Sequence, residues 1–541
     1  MPEHLRALIF ILALSGLVWI IAANRRIALP IAPDDYSRRR NAWFAVILCA
    51  FLAHNVWLFA LLLLLIVTIA RQKEGNPLAL YFVCLFAIPP LGTIVPGFGI
   101  MNYLLALDVP RMLALFLLLP VAFHLSTQPG TPRLGSFWPD RFVLGYVAVY
   151  LGAQLVNDSF TNALREGLVG PFIDIVLPYY VASRSLRNVQ QFKDLFATVL
   201  VVALALALIA LFENLRGWLL YSSLDVALGV FFPYGHYLVR GEGGGLRAQA
   251  SMGHSIVLGY LLIITLTFMA LLWPRTSASP IGARSRAGGV SSRTRSMDAG
   301  RPSRWPWIAA ALVLGAGLAA SLSRGPWVGG AVALVVLLLT GPKKGSRLVL
   351  LAAGTVAAGV VLSGTQFGQR IIALLPFIGT VDAFNVSYRQ RLFDISIDVI
   401  LQRPFFGSLT FMSHPMLEEL RQGEGIIDIV NSYLGIALRN GLVALALFAG
   451  AFISGLWGVW MSLRKLDAQQ QPETVLLGRV LLAATCGALV TIATVSSILT
   501  VPHVYWALAG FAVAYRQITA PQAVRQQVGA RARSYARTAS R

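Results

Sequence analysis

The stretch "WIAAALVLGAGLAASLSRGPWVGGAVALVVLLL", residues 307–339, holds two apolar runs joined at SLSRGPW, and Arg324 is its one charged side chain. Each run comes close to the ~20 residues a helix needs to cross a ~30 Å hydrocarbon core. The stretch therefore predicts a membrane hairpin. A turn needs no charge, so Arg324 reads either as an anchor to lipid headgroups or as a working group held at the membrane surface.

The same pattern extends over the whole chain. Of 541 residues, 57% are hydrophobic and 12% charged, with mean hydropathy +0.70; an ordinary soluble domain carries roughly 25% charged residues. A water-soluble fold of this length could not bury that much apolar surface, and the fold class predicted is an all-α polytopic integral membrane protein. Apolar runs place helices near 5–23, 42–54, 56–70, 78–94, 109–125, 141–156, 168–183 and 194–213. Further runs lie near 253–273, 305–322, 326–341, 347–363, 438–462, 477–497 and 502–517. This amounts to roughly 12–15 transmembrane helices. The first run is followed by arginines and not by a small-residue cleavage site, so it reads as a retained helix. Cys49, Cys84 and Cys486 all fall within apolar runs and form no disulfide or metal framework.

The net charge of +21, from 44 Lys+Arg against 23 Asp+Glu, is concentrated in a few segments. Residues 25–40, 275–304, 343–347 and 516–541 hold 21 of the 44 basic side chains against three acidic ones. Short basic loops of this kind mark the cytoplasmic side of a membrane protein, and nucleic acid is not the expected partner. The domains follow from these anchors. An N-terminal transmembrane bundle covers 1–213 and a first non-cytoplasmic loop 214–252. A transmembrane core spans 253–363, with a basic, disordered cytoplasmic linker at 274–304. A large, partly helical non-cytoplasmic loop (364–437), C-terminal transmembrane helices (438–517) and a basic disordered tail (518–541) complete the chain.

Both non-cytoplasmic loops carry arginines on the side that positive charge normally avoids. Arg247, Arg324, Arg389 and Arg391 form a set on that face. Guanidinium forks suit bidentate capture of phosphate, so the set points to a diphosphate donor at the membrane surface. In "SYRQRLFDISIDVILQRPFFG" (387–407) a helix should stop before Pro404. Asp394 and Asp398 share one face of it, as solvated partners of Arg391 or as a base or metal pair. In "GEGIIDIVNSYLGIALRNGLVALALF" (423–448), Glu424, Asp428 and Asn431 precede a helix that re-enters the membrane. An acid there is either a dipole partner or a general base. His254 opens a helix after "LRAQASMG" as a structural hydrogen-bonding group or a base, while His236 and His414 lie in loops. "GHSIV" (253–257) lacks the second glycine of a nucleophile elbow. "GEGGGLR" (241–247) lacks the ending of a phosphate-binding loop and reads as a flexible loop. The candidate catalytic groups are thus Asp428, Glu424 and His254, with no metal and no cofactor expected.

Four segments occur in order: "LRAQASMGHSIVLGYLL", "SLSRGPWVGGAVALVVLLL", "SYRQRLFDISIDVILQRPFFG" and "VNSYLGIALRNGLVALALF". Together, over about 245–450, they resemble the bacterial O-antigen ligase and O-antigen and exopolysaccharide polymerase superfamily, which has a GT-C-like fold. The resemblance implies a multi-pass inner-membrane glycosyltransferase with its active side facing the periplasm and no metal requirement. Its donor would be an undecaprenyl-diphosphate-linked oligosaccharide. The glycan would pass to lipid A-core in a ligase, or to another carrier-linked repeat in a polymerase. Expected partners are the donor, a glycan acceptor, membrane lipid and a chain-length regulator. By position, Arg247 and Arg324 match the arginines that the ligases use near the diphosphate. The ligases read His-Asn-x-Tyr/Phe-Leu at the re-entering helix, whereas here Val430 precedes Asn431-Ser432-Tyr433-Leu434. That departure favours a polymerase, with a ligase as the alternative. A transporter or flippase is a second alternative, although no internal repeat or mid-bilayer charge supports it.

Overall fold

The computed structural model describes residues 1–24, 27, 29–99, 102–230, 232, 237, 245–274, 303–342, 345–346, 349, 352–354, 363–364, 383–421 and 427–539. The N-terminal part contains α1 (Glu3–Ala22), α2 (Pro33–Leu52), α3 (Val56–Arg71) and α4 (Pro77–Leu85). An antiparallel hairpin, β1 (Gly92–Pro96) and β2 (Tyr103–Asp108), leads into α5 (Val109–Thr127). Then come α6 (Trp138–Asn157), α7 (Leu177–Ser185) and α8 (Val189–Arg216). The central hairpin and its neighbour are α9 (Ser255–Leu272), α10 (Trp305–Ala320) and α11 (Arg324–Leu339). Finally α12 (Ala383–Gln402) precedes α13 (Ser432–Lys465), α14 (Pro472–Ile492) and α15 (Val501–Ala539).

Among the described residues six helices, α1, α5, α8, α9, α13 and α14, are long and apolar enough to cross a membrane. The apolar helices α3, α10 and α11 are shorter; 16 residues, as in α10, reach about 24 Å at 1.5 Å per residue. The architecture is the expected all-α polytopic one, with fewer full-length spans than the apolar runs suggest. The run at 78–94 shows why. It stays helical only to Leu85, because Pro89-Pro90 cannot continue the ladder, and β1 then pairs with β2 in the register Gly92↔Asp108 to Val95↔Leu105. The segment after Pro404 also departs from a simple loop. It inserts at Gly441, where α13 is broken (φ 79°, ψ 176°). The backbone groups freed by the break find partners there: Leu442 N–H donates to Pro404 O (2.7 Å) and Ser408 N–H to Leu438 O (2.9 Å). Non-helical backbone near a membrane is tolerated only with such internal partners. α15 runs on as helix to Ala539, through the stretch 518–541 read as a disordered tail. Its Ala, Arg and Gln residues favour helix. The helix expected at 347–363, the linker at 274–304 and the glycine-rich 241–247 lie largely outside the described residues.

Small residues bring the central helices together. A Cβ on Gly329 of α11 would fall 2.5 Å from Gly487 O of α14, and one on Gly259 of α9 would fall 2.8 Å from the Pro326 ring. Such close backbone approach is how helices associate in lipid, where burial of apolar surface supplies no drive. It fixes the start of α11, and with it Arg324, between α9 and α14.

Candidate functional site

At the face opposite the basic segments, α9, α11, α13 and α15 begin and α10 and α14 end. The turn 321–323 joins α10 to α11 through Leu322 in the left-handed region (φ 48°), a conformation that costs a non-glycine residue about 1–3 kcal/mol. This places Ser323 at the N-cap of α11 and Arg324 as its first residue. The Ser323 hydroxyl donates to Ser321 O (3.0 Å) and accepts from Arg247 Nη2 (3.2 Å). Ala248 N–H donates to Ala320 O (3.1 Å). Two arginines 77 positions apart in sequence therefore flank one serine, both partly buried. A guanidinium can donate two parallel bonds to phosphate oxygens, so arginines at this position are suited to such a ligand.

The strand-like segment carrying Arg247 is held from below by Glu213, which is fully buried at the end of α8. Its Oε2 accepts from Gln249 N–H (2.9 Å) and Ala250 N–H (2.8 Å), and its Oε1 from Leu220 N–H (3.0 Å). Glu213 is not among the candidates that sequence reasoning singles out. Its one signal is its place as a lone acid late in the run VVALALALIALFENLR, where a charge is expensive and therefore purposeful.

His254 caps α9, its Nδ1 accepting from Ile256 N–H (3.2 Å). That bond leaves the ring proton on Nε2, making the outward nitrogen a donor. Burial, and then the Arg247 cation, pull its pKa down to about 4. His254 is thus a neutral hydrogen-bond donor beside Arg247, not a proton acceptor on that side.

Across from the arginines lies the loop 493–500. A Cβ on Gly325 would meet Thr494 Cβ at 3.3 Å, and one on Gly253 would meet Leu499 Cδ1 at 3.4 Å. The opposite side of this loop holds the acidic group. The Ser496 hydroxyl lies 2.8 Å from Asp428 Oδ1 and 2.9 Å from Ile429 O. Ser432 donates to Val495 O (2.7 Å), and Ser497 donates to Ser432 (2.8 Å). Asn431 caps α13, accepting from Tyr433 and Leu434 N–H, and Tyr388 of α12 donates to Asp428 O (3.0 Å). Asp428 itself is exposed. One loop thus links the Arg247–Ser323–Arg324 group to Asp428. Serine spacing carries no recognisable pattern, so this hydroxyl scaffold is not legible in the sequence.

Arg389 and Arg391 lie on the exposed side of α12, where Arg391 pairs with Glu419 at 3.6 Å. Asp394 and Asp398 are exposed on the same helix, and the partner Arg391 takes there is Glu419. His414 caps a short helix, Nδ1 accepting from Met416 N–H (3.3 Å). Glu424 and His236 lie outside the described residues. Among the described residues no three His, Cys, Asp or Glu side chains group as metal ligands.

The turn with Arg324, α12 and the start of α13 all fall in one segment, residues 309–449, which matches the family model described as O-antigen ligase. Over that segment the chain is similar to the O-antigen ligase family. Within it lie Arg324, Arg389, Arg391, Asp428 and Asn431; Arg247 and Glu213 precede it and reach it by hydrogen bonds and packing. No curated protein sequence matches the chain. This family similarity and the apolar helices together fit a multi-pass membrane protein.

Proposed function

We propose that the chain polymerises oligosaccharide repeats carried on undecaprenyl diphosphate, at the periplasmic face of a bacterial inner membrane. The observation that carries the reading is the hydrogen bond from Arg247 to Ser323, the residue before Arg324, with Asp428 held by Ser496 of the loop that packs against Gly325. In this reading the donor's diphosphate lies between the two guanidiniums, with His254 Nε2–H as a further donor. The acceptor hydroxyl attacks the anomeric carbon of the donor. The bond from that carbon to the diphosphate oxygen breaks, and the electron pair leaves with the diphosphate onto the arginines. The hydroxyl proton passes to the Asp428 carboxylate, whose Oδ1 is oriented by Ser496. Preorganised cations at the leaving group stabilise charge that develops only in the transition state.

Val430 supports a polymerase, since the histidine that ligases place there is absent. The ligase reading is favoured by the description of the matched family. Lipid intermediates in a deletion strain separate the two. Accumulated single repeats on the carrier mean polymerase; accumulated long chains on the carrier mean ligase. In the same strain, Arg324→Ala should lower polymer formation by a barrier of about 2–4 kcal/mol, the size seen when one oxyanion donor is removed. Wild-type polymer yield from Arg324→Ala and from Arg247→Ala, at equal expression, would sink the site.

A further inference from the structure

A second polar cluster lies outside the site above, between the β-hairpin, α5, α6 and the start of α15. It is framed by three π-helical segments: Ala114–Leu118, Ala163–Val169 and Phe172–Val176. Widened turns of this type are uncommon and gather at functional sites. Two of them carry the charges of the cluster. Asp174 accepts a bidentate bond from Arg111 (Nη2 to Oδ2, 2.8 Å; Nε to Oδ1, 3.1 Å). On the other turn, Arg165 stacks over the Tyr103 ring at 3.4 Å, and the Tyr103 hydroxyl donates to Glu166 (3.1 Å). On α6, Tyr150 lies against the Arg439 guanidinium (5.6 Å) and within electrostatic reach of Glu166, Asp174 and Arg111.

The cluster is not closed. The side chains of Asp174 and Glu166 are 24% and 32% exposed, so one flank is open to a solute. Deeper in, His503 is 4% exposed, stands 3.7 Å from Asp174, and neither of its ring nitrogens has a hydrogen-bond partner among the described residues. Arg439 Nε, Asn440 Oδ1 and the Tyr81 hydroxyl are buried in the same condition. Unmet polar atoms in a membrane interior are costly, and their gathering at one place points to a polar occupant.

The charges decide which occupant. Arg111, Arg165 and Arg439 face Asp108, Asp174 and Glu166, so the cluster is balanced in sign. A diphosphate would gain little there. A neutral sugar matches it better, since vicinal hydroxyls both donate to carboxylates and accept from guanidiniums. A guanidinium covers one face of each of the Tyr103 and Tyr150 rings, and an aromatic face on its other side is the flat apolar surface that suits pyranose C–H groups. Arg439 comes seven residues after Ser432 on α13, a rise of roughly 10 Å, and Ser497 reaches the Tyr505 hydroxyl (3.5 Å), which lies near Asp174. The cluster is therefore continuous with the loop that holds Asp428.

Resting on the proposed glycosyl transfer, we infer that this cluster, with Tyr103 and Tyr150, is a neutral-sugar subsite, holding the acceptor glycan with its attacking hydroxyl directed toward Asp428. The test uses the full-length protein in nanodiscs and, as probe, neutral oligosaccharides released by mild acid from the producing cell's own polysaccharide. Saturation-transfer NMR should show binding to the wild type, retained in Tyr150→Phe and weakened at least tenfold in Tyr150→Ala. Glu166→Gln, at the open flank, should weaken it similarly and serves if Tyr150→Ala fails to fold. In a transfer assay Tyr150→Ala should raise the acceptor KM about tenfold while changing kcat less than twofold. No probe binding to the wild type, or undiminished binding to folded Tyr150→Ala or Glu166→Gln, would overturn the subsite. If the wild type binds the probe but transfers nothing, the proposed transferase activity fails while the binding comparison still decides the subsite.

Discussion

His254 shows how one side chain can change meaning between sequence and structure. As a lone histidine ahead of an apolar helix it is a candidate base. Its Nδ1, however, is occupied by the α9 N-terminus, and its pKa lies near 4, lowered by burial first and by Arg247 second. That shift sets the direction of a pH dependence. An unfolded histidine takes up its proton near pH 6.5, whereas the folded one resists until about 4. As pH falls through that window the unfolded state binds more protons, so this residue's contribution to stability is whole above 6.5 and lost by about 4. His254→Asn keeps an N-cap and removes the titration. Asp108 slopes the other way in both proteins, because burial raises its carboxyl to about 6 against the lowering by Arg111. The difference between wild type and His254→Asn isolates the histidine. The gap in melting midpoint should widen against the wild type on acidification from pH 6.5 to 4. A gap that does not change with pH would show that folded His254 takes up its proton at the same pH as the unfolded one.

Among the elements, the broken helix α13 sets the height of the site. Its longer part, after Gly441, is the span; its shorter part, 432–440, packs with Tyr388, Leu392 and Leu417 in a small separate core. Gly441 makes this division possible, since its φ and ψ are open essentially to glycine alone and a Cβ would strike the Phe405 backbone. Gly441→Ala should loosen the 404–408 segment and speed chymotryptic cleavage after the exposed Phe405 and Phe406 several-fold, with loss of transfer activity. Unchanged cleavage would mean that the kink is held from elsewhere. α12 and its stop before Pro404 are legible in the sequence, because helix-breaking is a local signal. The β-hairpin and π-turns are not legible there. Pro89-Pro90 announces a break but carries no sign of the strand beyond it, and a π-turn differs from an α-turn only by tertiary accommodation. Glu213 and the serines of 496–497 escape sequence reasoning for a related cause: their partners are backbone groups far away in the chain, which no spacing rule reaches.

At the scale of the whole molecule, arginines tie the helices together through carboxylates. Near the basic segments, Arg39 is locked by Glu74 (2.6 Å) and Asp194 (2.8 Å), and Arg184 by Asp140 (2.6 Å), with the Arg184 and Asp140 side chains fully buried. These arginines join α2 to α8 and α6 to α7. Arg111 is held likewise by Asp174 (2.8 Å), while Arg247 donates to the Ser323 hydroxyl (3.2 Å). The buried Arg184–Asp140 pair is the one whose removal tests how far such contacts hold the bundle. Arg184→Ala strands a buried carboxylate and should cost about 3–5 kcal/mol of stability, read by denaturant titration in detergent, while folded enzyme at low temperature keeps its kcat. Removing both charges, as Arg184→Met with Asp140→Leu, should recover only part of that loss. Asp140 also accepts from the backbone N–H of Gly135 and Phe137 (3.1 Å each) and from the Tyr179 hydroxyl, and those donors would be left without it. Full recovery would mean that the pair supplies no net stability and that these secondary bonds are replaced by solvent; a loss of kcat in the folded single variant would instead place Arg184 in the working machinery of the opposite face.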